Sequence, residues 1–292
     1  MIADPAEATC DNAPDWAVEL KQQGFTIVRN ILSTSNVKLL RELITSRLTE
    51  IGRQGSAGTE KSIFLTQLLF ASSDTARIVR DLFWDSRIQW ILGAFHERSV
   101  IEHTKVLVKA SLAPETPWHQ DHAFFRKYDP TGTMITLWSP LHPVGEDNGT
   151  LRLLRSKPPR VLLPHEIANV EREKRVHAES LSPLLTEGIV IPEANPGDAV
   201  LFTSRAVHGT FANMTDSDRL AFKLVFQDLT RRTQQPLRNG AVVFHGIEGL
   251  LNRLYPCVAT RIRLQPDLLK RRVKGIWKRN ETADRQDPPT SR

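Results

Sequence analysis

A mainly β core carried on flanking helices is the fold class that this sequence predicts. Three observations predict it. Residues 13–95 carry helical periodicity, broken by one short apolar strand. From about residue 99 the pattern changes to short β-rich runs separated by turn chemistry. A polar, charged segment of helical composition interrupts those runs at about residues 165–180. Helices first and many short strands after them suggest an all-β core decorated by N-terminal helices. A jelly roll of the cupin kind fits that element order.

The elements follow in chain order. APDWAVELKQQ (13–23) reads as a helix stopped by Gly24, and FTIVRN (25–30) as a strand. Val37, Leu40, Ile44, Leu48 and Ile51 recur at spacings of three and four, which predicts a second helix ended by Gly52 and the 55–58 glycine stretch. Residues 74–95 again look helical, in two pieces, with Ile78, Leu82, Ile88 and Ile91 inward. SVIEHTKVLVKASL, MITLWSPL and GTLRLL then read as strands, parted by Asp129-Pro130-Thr131-Gly132 and Glu146-Asp147-Asn148-Gly149. Three more strand candidates lie in GIVIPEANPGDAVLFTS, AVHGTF and RLAFKLVFQD. The expected organisation is one domain over residues 1–292. It comprises helical support at about 13–95, a jelly-roll core at about 99–228 with a helical insert at about 165–180, and a basic extension at about 229–292.

Composition bounds the function classes. Apolar residues make up 40% and charged residues 25%, an ordinary globular balance with material for a sizeable core. The two cysteines, Cys10 and Cys257, form no C-x-x-C pair, so neither a disulfide framework nor a structural zinc site is expected. With no signal-peptide pattern at the start and no long apolar run, the expected place is the cytoplasm, with no membrane partner. The net charge of +6 is uneven: residues 261–280 hold eight Arg or Lys against one Asp, so the rest of the chain is near neutral. That reads as a solvated basic tail, or alternatively as a patch for an acidic partner. No aromatic-plus-basic nucleic-acid motif accompanies it, so a nucleic-acid partner is not expected. A homo-oligomer is compatible with the sequence.

The chemistry-bearing segment is TPWHQDHAFF. If His119 and Asp121 lie on a strand, two residues apart, both point to one face. One distant histidine would complete a two-His, one-carboxylate triad, which leaves positions on iron(II) for a co-substrate and oxygen. A bare His-x-acid pair is not specific. Nine histidines and 33 acids in 292 residues supply about one match by chance, and two exist. The second, His177/Glu179, sits in the charged insert and reads as surface. The first stands between strand candidates beside Trp118, Phe124 and Phe125. Further on, His208 begins a strand, a turn follows at Asn213, Thr215, Asp216 and Ser217, and Arg219 opens the last strand. A guanidinium brought beside the metal would grip a carboxylate in a bidentate way. The far carboxylate of 2-oxoglutarate, chelating iron through its keto acid, suits it.

With these pieces, WHQD (118–121), ITLWSPLHPVGEDNGTLRLL (135–154), PGDAVLF (196–202) and His208 to Arg219, the chain resembles the phytanoyl-CoA dioxygenase family of iron(II)/2-oxoglutarate oxygenases. The resemblance implies a double-stranded β-helix. It implies His119, Asp121 and His208 as catalytic iron ligands, Arg219 as the 2-oxoglutarate clamp and Lys109 as a second co-substrate contact. The implied cofactors are Fe(II), 2-oxoglutarate and O2. Where the family often continues with P-G-S-H after N-G-x-L, this chain has Arg152 to Pro159, so substrate identity is not carried over. Phe124, Phe125, Trp138 and Arg152 are the candidates for the substrate pocket.

Three functional readings stand at this point. The first is an oxygenase that hydroxylates or otherwise oxidises a small organic molecule, in secondary metabolism. The second is a hydroxylase of a CoA- or carrier-bound acyl group. The third is a non-catalytic or nucleic-acid-binding protein on the same fold.

Overall fold

A computed structural model of the chain describes residues 14–50, 60–64, 86–95, 99–126, 129–155, 161–167 and 174–228. The expected helical positions Ile51, Ile78 and Leu82, the glycine stretch and the basic extension lie outside the described residues. The first described elements are α1 (Asp15–Gln23), β1 (Phe25–Val28), α2 (Thr34–Glu50), β2 (Glu60–Phe64) and α3 (Ser86–Phe95). The core follows as β3 (Ser99–Lys109), β4 (Thr116–His119), α4 (His122–Phe125), β5 (Ile135–Pro140) and β6 (Leu151–Leu154). A hairpin, β7 (His165–Ile167) and β8 (Lys174–Val176), leads to α5 (Ala178–Glu187). The described residues end with β9 (Ile189–Val190), β10 (Ala199–Thr203), β11 (His208–Thr210) and β12 (Arg219–Asp228).

All pairings among the described strands are antiparallel. A six-stranded sheet has the order β1-β10-β5-β12-β3-β2, and a four-stranded sheet the order β4-β11-β6-β9. From β3 onward the core strands β3, β4, β5, β6, β10, β11 and β12 alternate between the two sheets. That alternation makes the double-stranded β-helix.

Side chains alternate across a strand, so each sheet has two different faces. On the outer face of the six-stranded sheet, Val106, Val108, Leu137, Leu201, Leu220, Phe222 and Leu224 are buried against Leu20, Val37, Leu40, Ile44, Leu48, Ile88 and Ile91 of the helices. The helical spacing read from the sequence therefore marks the stripe that docks on this sheet. Each such side chain contributes roughly 1.5–3 kcal/mol when fully buried. On the inner face, Trp138, Val200, Phe202 and Ala221 pack towards Leu151 and Leu153 of the four-stranded sheet.

One expectation is corrected. Residues 165–180 are not one helical insert: β7 and β8 pair as a two-stranded sheet, and helix begins only at Ala178. Three-residue strands are too short to display a period, so their charged composition resembled a solvated helix. No helix among the described residues is long and apolar enough to cross a membrane.

Candidate metal centre

Strand β4 ends at His119, and α4 starts just after Asp121, whose φ of −54° and ψ of −32° are already helical. The carboxylate therefore arrives from a turn, not from the alternation of a strand. His208, the first residue of β11, is the direct cross-strand partner of His119, and the two rings lie 4.2 Å apart. Each Nε2 is 3.8 Å from Asp121 Oδ1. The candidate ligand atoms of the three residues all lie within 4.8 Å of one another.

The tautomers follow from the backbone. His119 Nδ1 lies 2.8 Å from the carbonyl of Pro117, and His208 Nδ1 lies 3.0 Å from that of Ala206. A carbonyl only accepts, so each ring keeps its proton on Nδ1 and turns the Nε2 lone pair towards Asp121. Three electron-pair donors converge on one point, which suits a divalent cation. Burial, with His119 nearby, pushes the His208 imidazole down to about 3 against the pull of Asp121. The ring is thus neutral and able to act as a ligand at physiological pH.

Asp121 is oriented from the six-stranded sheet. Its Oδ2 accepts from Thr136 Oγ1 at 2.8 Å and from Lys223 Nζ at 2.9 Å. Burial would push this carboxyl up, but the Lys223 ammonium and the two histidines outweigh it and hold the group well below the usual carboxylate range. Gln120, between the two ligands, is fully buried. Its side chain donates to the carbonyls of Val161 and Arg205 and accepts from the Leu163 amide, while its own amide donates to His165 Nε2. This residue fastens the motif to the segment leading into the β7–β8 hairpin.

A cavity of about 220 Å³ opens beside the triad, with His119, His208, Phe124 and Trp138 in its wall. Phe124 stands edge-on to His119, with centroids 5.8 Å apart. Phe125 and Arg152 do not line this cavity. Arg152 instead pairs with Glu115 at 2.6 Å, its guanidinium 4.4 Å from the Trp118 ring and 5.0 Å from that of Phe211.

Arg219 and Lys109 are both buried and are direct partners across β12 and β3. Neither lines the cavity. Arg219 lies behind Trp138, its guanidinium carbon 5.8 Å from that ring. Lys109 donates to Thr210 Oγ1 at 3.0 Å, and Thr210 and Thr116 do line the cavity. Two glycines make this packing feasible. A Cβ on Gly149, whose φ is +82°, would fall 2.5 Å from Lys109 Cδ, and one on Gly209 would fall 2.6 Å from the Thr116 carbonyl. Asn213 joins the ends of β3 and β12 by donating to the carbonyls of Lys109, Ala110 and Ser217.

Several cavity residues escaped the sequence reading, among them Lys105, Lys174, Lys223, Thr116 and Thr210. Lys105 and Lys223 line the wall and are also direct cross-strand partners. Their signal was parity: each lies four residues from Lys109 or Arg219 along the same strand, and so on the same face. Burial and the neighbouring Lys223 bring the Lys105 ammonium down to about 8, against the pull of Asp121.

The phytanoyl-CoA dioxygenase family model matches residues 20–221, a span that takes in every strand from β1 to β11, the start of β12 and all three candidate ligands. The chain belongs to the phytanoyl-CoA dioxygenase family. A curated relative in this family, a probable phytanoyl-CoA dioxygenase from Caenorhabditis elegans, is 30% identical over 190 residues, 60% of this chain and 57% of that relative's length. Solved structures share the fold at lower identity. EctD from S. alaskensis, solved with 2-oxoglutarate and 5-hydroxyectoine, has a TM-score of 0.58 and 22% identity, covering 80% of this chain and 84% of its own. EvdO2 from Micromonospora carbonacea var. aurantiaca, complexed with 2-oxoglutarate, has a TM-score of 0.57 and 21% identity, covering 72% and 89%. The epimerase SnoN, in complex with Fe3+, alpha ketoglutarate and nogalamycin RO, has a TM-score of 0.55 and 21% identity, covering 82% and 98%.

Proposed function

We propose that this member of the phytanoyl-CoA dioxygenase family is a non-haem iron(II), 2-oxoglutarate-dependent oxygenase, a single oxygenase domain that hydroxylates or otherwise oxidises a small organic molecule. The observation that carries the reading is the convergence of two neutral imidazole Nε2 atoms and one carboxylate oxygen on a single point. Two histidines and one carboxylate on one side of a metal are the donor set that suits iron(II) with open positions. The cofactors named with EctD, EvdO2 and SnoN support the same assignment.

His119, Asp121 and His208 would hold the metal through Nε2, Oδ1 and Nε2. When bound, iron(II) with 2-oxoglutarate and dioxygen supplies oxidation of a C–H bond, coupled to conversion of the co-substrate to succinate and carbon dioxide. Thr136 and Lys223 fix the Asp121 carboxylate so that Oδ1 faces the histidines. The hydroxyls of Thr116 and Thr210 present a polar floor. A carboxylate resting there lies in the field of Lys109 and Arg219, the two buried cations behind it. Phe124 and Trp138 wall the metal side and keep water from the reacting bond.

The acyl-thioester reading keeps one supporting observation, the description of the Caenorhabditis elegans relative as a probable phytanoyl-CoA dioxygenase. A substrate panel of small molecules and acyl thioesters, scored by succinate release with iron(II) and 2-oxoglutarate, separates the two. Substrate-dependent succinate should disappear in His119→Ala; turnover that persists there would remove the metal assignment. Arg219→Ala should raise the 2-oxoglutarate requirement by roughly ten-fold or more.

A further inference from the structure

Gln120 stands between two candidate metal ligands and is 1% exposed. Its carboxamide is used on both sides. Nε2 donates to the Val161 carbonyl at 2.9 Å and to the Arg205 carbonyl at 2.6 Å, while Oε1 accepts from the Leu163 amide at 2.8 Å. Two carbonyls on one side and an N–H on the other admit one orientation of the group. Among uncharged side chains of this length, only glutamine donates twice and accepts as well. The backbone amide of Gln120 adds a bond to His165 Nε2 at 3.1 Å. The Leu163 carbonyl, 2.8 Å from His165 Nδ1, keeps the ring proton there and leaves Nε2 as the acceptor.

These bonds run in two directions. Arg205 belongs to the turn between β10 and β11, and the next carbonyl along it, that of Ala206, lies 3.0 Å from His208 Nδ1. The same turn accepts the His122 amide at the Ser204 carbonyl, 2.8 Å away. Gln120 thus ties the turn that delivers Asp121 to the turn that orients His208. Val161, Leu163 and His165 lie in the other direction, on the segment running into β7. From β8, Lys174 lines the cavity and donates to the Ala123 carbonyl at 2.5 Å, its ammonium 5.2 Å from the Phe124 ring. The β7–β8 hairpin is therefore fastened through both of its strands to residues 120–124, the stretch that contains Asp121 and follows His119.

We propose that Gln120 is a positioning residue that couples the β7–β8 hairpin to the metal ligands. A molecule that contacts the hairpin wall of the cavity then alters the ligand arrangement, and metal binding alters the hairpin. The inference rests on the oxygenase reading for the presence of a metal. Gln120 does not itself line the cavity. It acts through the backbone on either side of it, in the way that groups one step removed from a metal set the orientation of its ligands. Coupling between two sites is reciprocal, so it is readable from either end.

The test uses the full chain with 2-oxoglutarate present and zinc(II) or cobalt(II) as the metal. In wild type, zinc should slow hydrogen exchange at the amides of residues 161–167 and 174–176 by roughly three-fold or more. Gln120→Met keeps the volume and removes the side-chain bonds. It should abolish that slowing and weaken zinc binding by roughly ten-fold. It should also shift the visible bands of the protein at saturating cobalt, which report the ligand arrangement and which lowered stability alone leaves unmoved. Gln120→Glu keeps the shape but sets carboxylate oxygens against two carbonyls, so it should behave like Gln120→Met. Wild-type behaviour in Gln120→Glu would mean that the side chain only fills space, and would overturn the proposal. His165→Phe removes the acceptor of the Gln120 amide from the hairpin side. It should reduce the slowing and move the cobalt bands, and it keeps the test alive if the Gln120 variants fail to fold. Three further results overturn the proposal: zinc leaves hairpin exchange unchanged in wild type, the slowing persists in Gln120→Met, or the cobalt bands of all variants coincide with zinc affinity within about three-fold. Wild type that binds zinc and 2-oxoglutarate without the slowing removes this inference alone. Wild type that binds neither removes the oxygenase reading with it.

Discussion

Leu220, Phe222 and Leu224 of β12 point to one face of the six-stranded sheet, and Arg219, Ala221 and Lys223 to the other. The same division runs through β3, where Val106 and Val108 meet the helices while Lys105, Leu107 and Lys109 face inward. One backbone thus carries an apolar face that holds the helices and a cationic face that serves the metal side. The two faces share strands but no side chains. Substitutions on them should therefore separate stability from chemistry, because contacts on opposite faces couple only weakly.

The largest expected effect is on the apolar face. Phe222→Ala empties a fully buried site in the helix-packed core and should cost about 3–5 kcal/mol of unfolding free energy. Denaturant unfolding measures the cost, and iron(II) affinity of the folded fraction should stay unchanged. A parallel loss of metal affinity would break the separation. Next comes the inner face. Thr136→Val deletes the hydroxyl that donates to Asp121 Oδ2 while keeping the side-chain shape. Iron(II) affinity should fall by about ten-fold or more, with stability lowered by only about 1–2 kcal/mol. A metal titration beside a melting curve checks both.

The smallest effect is a pH dependence carried by Lys105. Its folded pKa of about 8 lies below the ordinary lysine value of 10.5, owing to burial and Lys223 and opposed by Asp121. Between those two values the unfolded chain holds a proton that the folded chain has released, so stability should rise with pH across that window. That slope should flatten in Lys105→Met, measured by denaturant unfolding against wild type under the same conditions.

Much of this was legible in the sequence. The helical stripe on α2 (Val37, Leu40, Ile44, Leu48) and the strands β3, β5, β6, β10, β11 and β12 were readable because apolar runs and the turn residues between them mark the buried segments. His119, Asp121 and His208 stood out because their spacing is chemically meaningful. The reason offered for Asp121 was incomplete, since a strand-to-helix turn delivers its carboxylate. The β7–β8 hairpin was hidden by strands too short to show alternation. Lys105 and Lys223 looked like any charged residue on a strand, and their cross-strand pairing becomes visible only with the register in hand. Arg152 looked available for an anion, but its link to Glu115 joins residues far apart in the chain.

The most direct test of the central claim is an anaerobic titration of metal-free protein with iron(II) in the presence of 2-oxoglutarate, followed by visible absorbance of the iron–keto-acid chelate. The expected result is one saturable site per chain, an absorbance that requires both components, and its loss in His208→Ala while the fold persists. The same absorbance and the same affinity in His208→Ala would contradict the assignment of the triad.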